Sequence, residues 1–265
     1  MITLTTAKQV AYVTLANESK RNALNFEMFK QLDGVIKQIK KQRDLRAVIL
    51  QAQGPDFCTG LDVKSVISKP TDICKLLFKP LPGNQNLAQR VVLGWQSLNI
   101  PVIALLQGRC WGGGMQIALG ADIRIASEDA SLAIMESRWG LCPDMGASLV
   151  LPGILNADNY LQLAMSAEPV TAQQALNLGL VSYVDNDLQQ RATHIIDTFS
   201  ARSPDAISAI KRLTQSAYRQ PHRRLLAKET FSQIKLLMCK NTHIAIKNAS
   251  RKDDSFDEYQ PRRRW

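Results

Sequence analysis

The residues best suited to chemistry lie in one run: Gly108, Arg109, Cys110, Trp111, Gly112, Gly113, Gly114, Met115 and Gln116. Strand-like residues 101–107 lead into it and helix-like residues 115–120 leave it. Glycines at a helix start keep the backbone bare, so a ligand oxygen can approach unpaired N–H groups. The helix end adds partial positive charge, and together these features make a fixed oxyanion site. Tight packing is the competing use of such a turn. A second turn, Asp56 to Asp62, also follows a strand, and Gly60 there leaves the N–H of Leu61 free to face a cleft. Two donors from separate turns can hold one developing oxyanion.

Two carboxylates follow, Glu136 and Asp144, both in apolar surroundings. Desolvation there raises a carboxyl pKa, which suits proton transfer near neutral pH. The plainer readings are an ion pair of Glu136 with Arg138 and a helix-capping role for Asp144.

These residues need a frame. Residues 10–16, 46–52, 102–106, 123–126 and 132–135 read as strands. Residues 25–41 read as a helix whose Met28, Leu32, Val35, Ile36 and Ile39 form one stripe. Residues 87–98 and 113–119 are also helical. Residues 56–66 read as a turn entering a helix. Residues 68–85 contain Pro70, Pro80 and Pro82 and read as an irregular loop that shapes any ligand pocket. From about residue 160 helices dominate, with Thr171 and Ser203 as N-caps. The expectation is an α/β chain in which a strand-strand-helix theme recurs, followed by a helical C-terminal portion. Residues 1–200 form the core and 201–265 a basic helical region.

The chain has 265 residues, enough for one large domain with an ample core. No uncharged apolar run reaches the roughly 18 residues of a membrane span. The first ten residues lack a signal peptide's apolar stretch, which argues against export and for a cytoplasmic protein. Five widely spaced cysteines without a CxxC argue against a disulfide framework or zinc site. Cys58, Cys110 and Cys142 lie beside the turns, with packing favoured over a nucleophilic role. Three histidines, His194, His222 and His243, have no metal spacing, and no G-x-S-x-G motif supports a serine hydrolase.

The net charge of +10 is uneven: residues 201–265 hold 15 Lys/Arg against 6 Asp/Glu. Such a region binds phosphate-bearing molecules or nucleic acid, or is simply a solvated helical face with a tail at 262–265. No ribonucleoprotein motif or basic-helix signature favours nucleic acid.

Taken together, the motifs resemble the enoyl-CoA hydratase/isomerase (crotonase) family over essentially the whole length. The matching pieces are Lys20 to Leu24, Phe57 to Asp62, Gly108 to Gln116 with Ala121 and Asp122, then Glu136, Gly140, Pro143 to Gly146, and Ala172 to Val181. The resemblance implies a crotonase-like spiral of strand-strand-helix repeats. It implies that residues 201–265 drive trimer formation, often with two trimers in a hexamer. It implies an acyl-CoA thioester substrate, with coenzyme A part of that substrate and no separate cofactor or metal. The oxyanion hole falls on the N–H groups of Leu61 and Gly113. The loop of Lys20, Arg21, Ala23 and Leu24 falls where the family holds the adenosine end of coenzyme A.

One departure matters. Hydratases of the family generally carry two glutamates, and this chain has Gln116 at one of those positions and Glu136 at the other. An amide orients groups but cannot shuttle a proton. One base suits moving a double bond from the 3,4 to the 2,3 position, with Glu136 taking and returning a single proton. Hydration by Glu136 alone is the alternative, and a non-catalytic or RNA-binding member the second. Asp144 matches a catalytic aspartate of certain dienoyl isomerases.

Overall fold

The computed structural model describes residues 1–62, 70–217, 222–251 and 256–263. Among the described residues nine strands build two sheets: β1 (Ile2–Ala7), β2 (Val10–Leu15), β3 (Ala47–Ala52), β4 (Val102–Leu106), β5 (Arg109–Trp111), β6 (Ile123–Ala126), β7 (Ser131–Ala133), β8 (Val170–Thr171) and β9 (Tyr183–Val184). The larger sheet has the order β1-β2-β3-β4-β6-β9. Its β1–β2 pair is antiparallel, and every later pair is parallel. Lys8 and Gln9 both take positive φ between β1 and β2, a tight hairpin turn that suits twisted strands. The smaller sheet is β5-β7-β8.

Strand alternation sorts side chains onto two cores. Val48, Leu50, Val102, Ala104 and Leu106 face the main core, while Ala47, Ile49, Ile103 and Leu105 face a second. Helix α1 (Phe26–Lys41) fills the first with Met28, Phe29, Leu32, Ile36 and Ile39. Asn25 caps it by accepting from the Met28 N–H. Helices α2 (Pro70–Leu77), α3 (Leu87–Ser97) and α4 (Gly113–Leu119) follow. The second core is closed by Ala192, Ile195 and Ile196 of α8 (Leu188–Ser200), which comes after α5 (Ala147–Val150), α6 (Ala157–Ser166) and α7 (Ala172–Leu178). Helices α9 (Pro204–Ala217), α10 (His222–Leu237) and α11 (Lys240–Ser250) form the C-terminal portion.

Two expectations need correction. The segment 68–85 is not wholly irregular, because Pro70–Leu77 is helical. Pro70 itself is helical, so it does not break this element. Residues 63–66 of the expected helix entry, and 68–69, lie outside the described residues. The tail is not a loose end at Arg262. Its guanidinium is buried and donates to the carbonyls of Leu45 and Gln42. Arg264 and Trp265 lie outside the described residues. Thr171 and Ser203 accept from Gln174 and Ala206 N–H groups, as N-caps do.

Candidate active site

The site is built where the chain leaves β3 and β4. After β3, residues 57–58 run beside β5: Phe57 and Cys58 N–H donate to the Gln107 and Arg109 carbonyls, and the Trp111 N–H donates to that of Cys58. The chain then turns at Gly60, where φ is +93°. A Cβ there would sit 3.0 Å from the Trp111 carbonyl oxygen, so both conformation and space demand glycine. The loop 20–24 braces the turn. The Leu24 N–H donates to Gly60 O at 2.7 Å, and the Asp62 N–H donates to Leu24 O at 2.9 Å. Parallel pairing of this kind turns the intervening Leu61 N–H away from Leu24. It meets no acceptor among the described residues.

The second turn opens α4. The Gly112 N–H donates to Ala133 O, and its carbonyl accepts from Gln116 N. Gly113 is the first helical residue, so its N–H has no intrahelical acceptor. The two turns meet here. A Cβ on Gly60 would lie 3.6 Å from Gly113 N, and one on Gly113 would lie 3.9 Å from Leu61 N. Two unpaired backbone donors therefore border one spot.

Glu136 lies across from it, in a short 3-10 turn (Glu136–Trp139). A Cβ on Gly112 would come within 3.8 Å of Glu136 Oε1. That oxygen accepts from Gln116 Nε2 at 2.6 Å. Gln116 is buried, and its Oε1 accepts from the Met145 N–H at 3.0 Å. A backbone N–H can only donate, so the amide orientation is forced: its oxygen faces Met145 and its NH2 faces Glu136. The other carboxylate oxygen, Glu136 Oε2, is buried without a hydrogen-bond partner among the described residues. Burial raises the Glu136 pKa above its ordinary value, the Gln116 hydrogen bond opposes the rise, and the charge of Asp144 adds to it.

Asp144 is exposed at the surface, yet crowding by protein atoms raises its pKa too. It does not cap α5, whose N-cap is Gly146 with no side-chain bond. Glu136 makes no ion pair with Arg138 among the described residues. The cysteines are all unpaired, with Cys58 and Cys110 buried and Cys142 exposed. Burial pushes the Cys58 thiol up to about 12, which rules out a ready nucleophile.

Lys20 and Arg21 stand exposed at the rim, within 3.8 Å of Asp62 and 3.9 Å of Asp56. Ala23 is half-buried and Leu24 fully buried beside the turn. The amide-fixing Met145 N–H had no signal in the sequence, because a backbone donor carries none. A separate cleft of about 1020 Å³ lies between residues 41–45 and the C-terminal segments. Of the two acids that line it, Asp44 and Asp205, Asp205 is engaged by Asn241 and the Arg263 N–H. Chemistry therefore points to the two turns.

A family model described as enoyl-CoA hydratase/isomerase matches residues 5–250. The chain belongs to the enoyl-CoA hydratase/isomerase family. It is an enzyme of the hydratase or isomerase type with the crotonase fold. It is 30% identical over 219 residues to a probable enoyl-CoA hydratase of Bacillus subtilis, covering 81% of this chain and 82% of that one. It is 28% identical over 214 residues to the peroxisomal Delta(3,5)-Delta(2,4)-dienoyl-CoA isomerase of Arabidopsis thaliana, covering 78% and 77%. A solved structure of a putative enoyl-CoA hydratase from Streptomyces coelicolor superposes with a TM-score of 0.87 at 26% identity, covering 98% of this chain and 94% of that one. No helix among the described residues is long and apolar enough to cross a membrane.

Proposed function

We propose that this family member moves a carbon–carbon double bond in an enoyl-CoA thioester, with Glu136 as its one proton carrier. The thioester carbonyl sits between the N–H groups of Leu61 and Gly113. Glu136 Oε2 takes a proton from C2, and the electron pair moves through the carbonyl to give an enolate. Negative charge develops on the oxygen that the two donors grip, the arrangement that commonly supplies several kcal/mol. The proton then returns at C4, and the double bond stands at the 2,3 position. Lys20 and Arg21 serve the phosphates of coenzyme A, and Ala23 and Leu24 shape the loop beside them. Coenzyme A is part of the substrate.

The observation that carries this reading is the state of Glu136. One oxygen is pinned by the NH2 end of the Gln116 amide, which can only donate, and the other is buried without a hydrogen-bond partner among the described residues. That is a base with its direction fixed. A dienoyl-CoA isomerase is the second reading, supported by the charge of Asp144 acting on Glu136. Two acids of raised pKa can take a proton at one end of a diene and deliver one at the other. Incubation with 2-enoyl-, 3-enoyl- and 3,5-dienoyl-CoA thioesters, with products read by NMR, tests both. Exclusive hydration of 2-enoyl-CoA would overturn both.

Assembly into a homotrimer or hexamer through 201–265 is part of the same proposal. Its support is the apolar surface left on α10, where Leu226, Phe231 and Leu237 are all more than half exposed. Five unpaired thiols suit a reducing cytoplasm.

A further inference from the structure

Three segments meet at one buried point behind the proposed oxyanion hole. Cys58 is fully buried, and its Sγ donates to the Asn22 carbonyl at 3.0 Å. The same sulfur accepts from the Gly60 N–H at 3.4 Å. Gly60 is the residue whose peptide unit ends in the Leu61 nitrogen, so this bond bears on where that N–H points. Against Cys58 packs Gly114 of α4, where a Cβ would fall 2.6 Å from Cys58 Cβ and 2.8 Å from Sγ. The glycine next to the second donor thus lies directly on the cysteine that steadies the first.

Asn22 closes the arrangement from the other side. It is fully buried and holds a left-handed backbone at φ +55°. Its Nδ2 donates to the carbonyls of Gln53 and Asp56, both at 2.9 Å, and its Oδ1 accepts from Asn17 N at 2.8 Å. Every polar atom of the amide is engaged in tying the loop 17–24 to the segment that leads into the Gly60 turn. Nothing in the proton chemistry assigned to Glu136 uses either residue.

We infer that Asn22 and Cys58 form a positioning latch that aims the Leu61 N–H and couples it to the loop of Lys20 to Leu24. The inference rests on the proposed oxyanion hole. Neither residue touches substrate. The latch instead transmits the position of the loop to the turn: Asn22 belongs to the loop, Cys58 to the turn, and one sulfur bonds to both. A thiol that stays protonated can donate to Asn22 and accept from Gly60 at the same time.

A chromophoric enoyl-CoA, with an aromatic amine conjugated to the thioester, reads the hole directly, because gripping the carbonyl shifts its absorption to longer wavelength. Cys58→Ala removes both sulfur bonds with little change of volume. The expected result is a smaller shift and a kcat lower by about tenfold, the scale of one hydrogen bond's usual worth, with KM little changed. Cys58→Ser keeps a donor and an acceptor and should restore most of both. Asn22→Asp retains the acceptor but sets a carboxylate against the Gln53 and Asp56 carbonyls, and should reproduce the alanine result. A Cys58→Ala protein with the full spectral shift and full kcat overturns the latch while leaving the hole intact. Absence of any shift in the unaltered protein overturns the hole and the latch together. If the variants do not fold, hydrogen exchange on the unaltered protein decides, since rapid exchange at the Gly60 N–H would mean that the sulfur does not hold it.

Discussion

Two carboxylates flank the short helix Gly113–Leu119, and the protein treats them in opposite ways. Asp122, beyond its C-terminal end, is surrounded by donors. Its Oδ2 accepts from Lys211 Nζ at 2.6 Å and from the Val102 N–H at 2.8 Å. Lys211 is buried and spends its other donors on the Trp95 and Ile100 carbonyls. Glu136, beside the other end, has among the described residues one side-chain hydrogen-bond donor, Gln116, no ion pair, and a second acid that acts on its charge. A fully partnered acid anchors the sheet to the C-terminal helices. A half-partnered acid is costly to ionise and therefore ready to take a proton. Burial alone does not make a base; burial with withheld partners does.

The largest effect should come from removing the proposed proton carrier. Glu136→Gln is expected to lower kcat/KM by up to about 10⁴-fold. Stability should move the other way. The raised pKa means that native Glu136 holds its proton above the pH at which the unfolded chain releases it. Stability is thus lost as pH rises through the folded value, and the amide removes that loss. Thermal unfolding at neutral pH should give a Tm no lower than that of the unaltered protein. A marked drop in Tm would mean that Glu136 is a structural acid like Asp122.

The partnered acid gives the inverse. Lys211→Met leaves Asp122 and two carbonyls without their cation, and loss of one partner of a buried pair costs about 3–5 kcal/mol. Urea unfolding should register that loss. The kcat per folded molecule should stay unchanged, since Lys211 is far from the turns in its bonding network. If kcat falls as well, the two ends of the helix are not independent and the comparison fails.

These contrasts show what the sequence could and could not carry. Alternation in β3 and β4 and the stripe in α1 state their faces openly, because burial selects residue type at fixed period. The glycines of both turns were legible for a similar reason: bare backbone leaves a mark in composition. Partner sets are another matter. Nothing local distinguishes Asp122, which meets a lysine 89 residues away, from Glu136, which meets an amide 20 residues back. Nor does Pro70 say on its own whether the residues beside it are helical or irregular. Arg262 reads as one of three tail arginines until residues 42–45 supply the carbonyls that bury it.

A smaller change sharpens the comparison from the side of Gln116. Gln116→Glu sets a second carboxylate where an amide now donates to Glu136 at 2.6 Å. Two acids so close share a proton and titrate as a pair. Met145 N–H can still be accepted. Hydration of a 2-enoyl-CoA should rise relative to isomerisation by about tenfold, within the usual range for a general acid or base. Product ratios measured by NMR check this, and an unchanged ratio would show that Gln116 does not set the reaction.

The smallest expected effect is also the most discriminating. Asp144 raises the Glu136 pKa through its charge, so Asp144→Asn should let that pKa fall. A base of lower pKa is ionised at lower pH. The acidic limb of the kcat/KM profile for a 3-enoyl-CoA should therefore move to lower pH, with the plateau nearly unchanged. This is the outcome for one base and a bystander. If Asp144 instead delivers the second proton in a dienoyl isomerisation, the same variant loses that activity outright while 3-enoyl isomerisation persists. A shift upward would contradict both, since removing a like charge cannot make Glu136 harder to ionise. One substitution, assayed on two substrates across pH, thus separates a site with one working acid from a site with two.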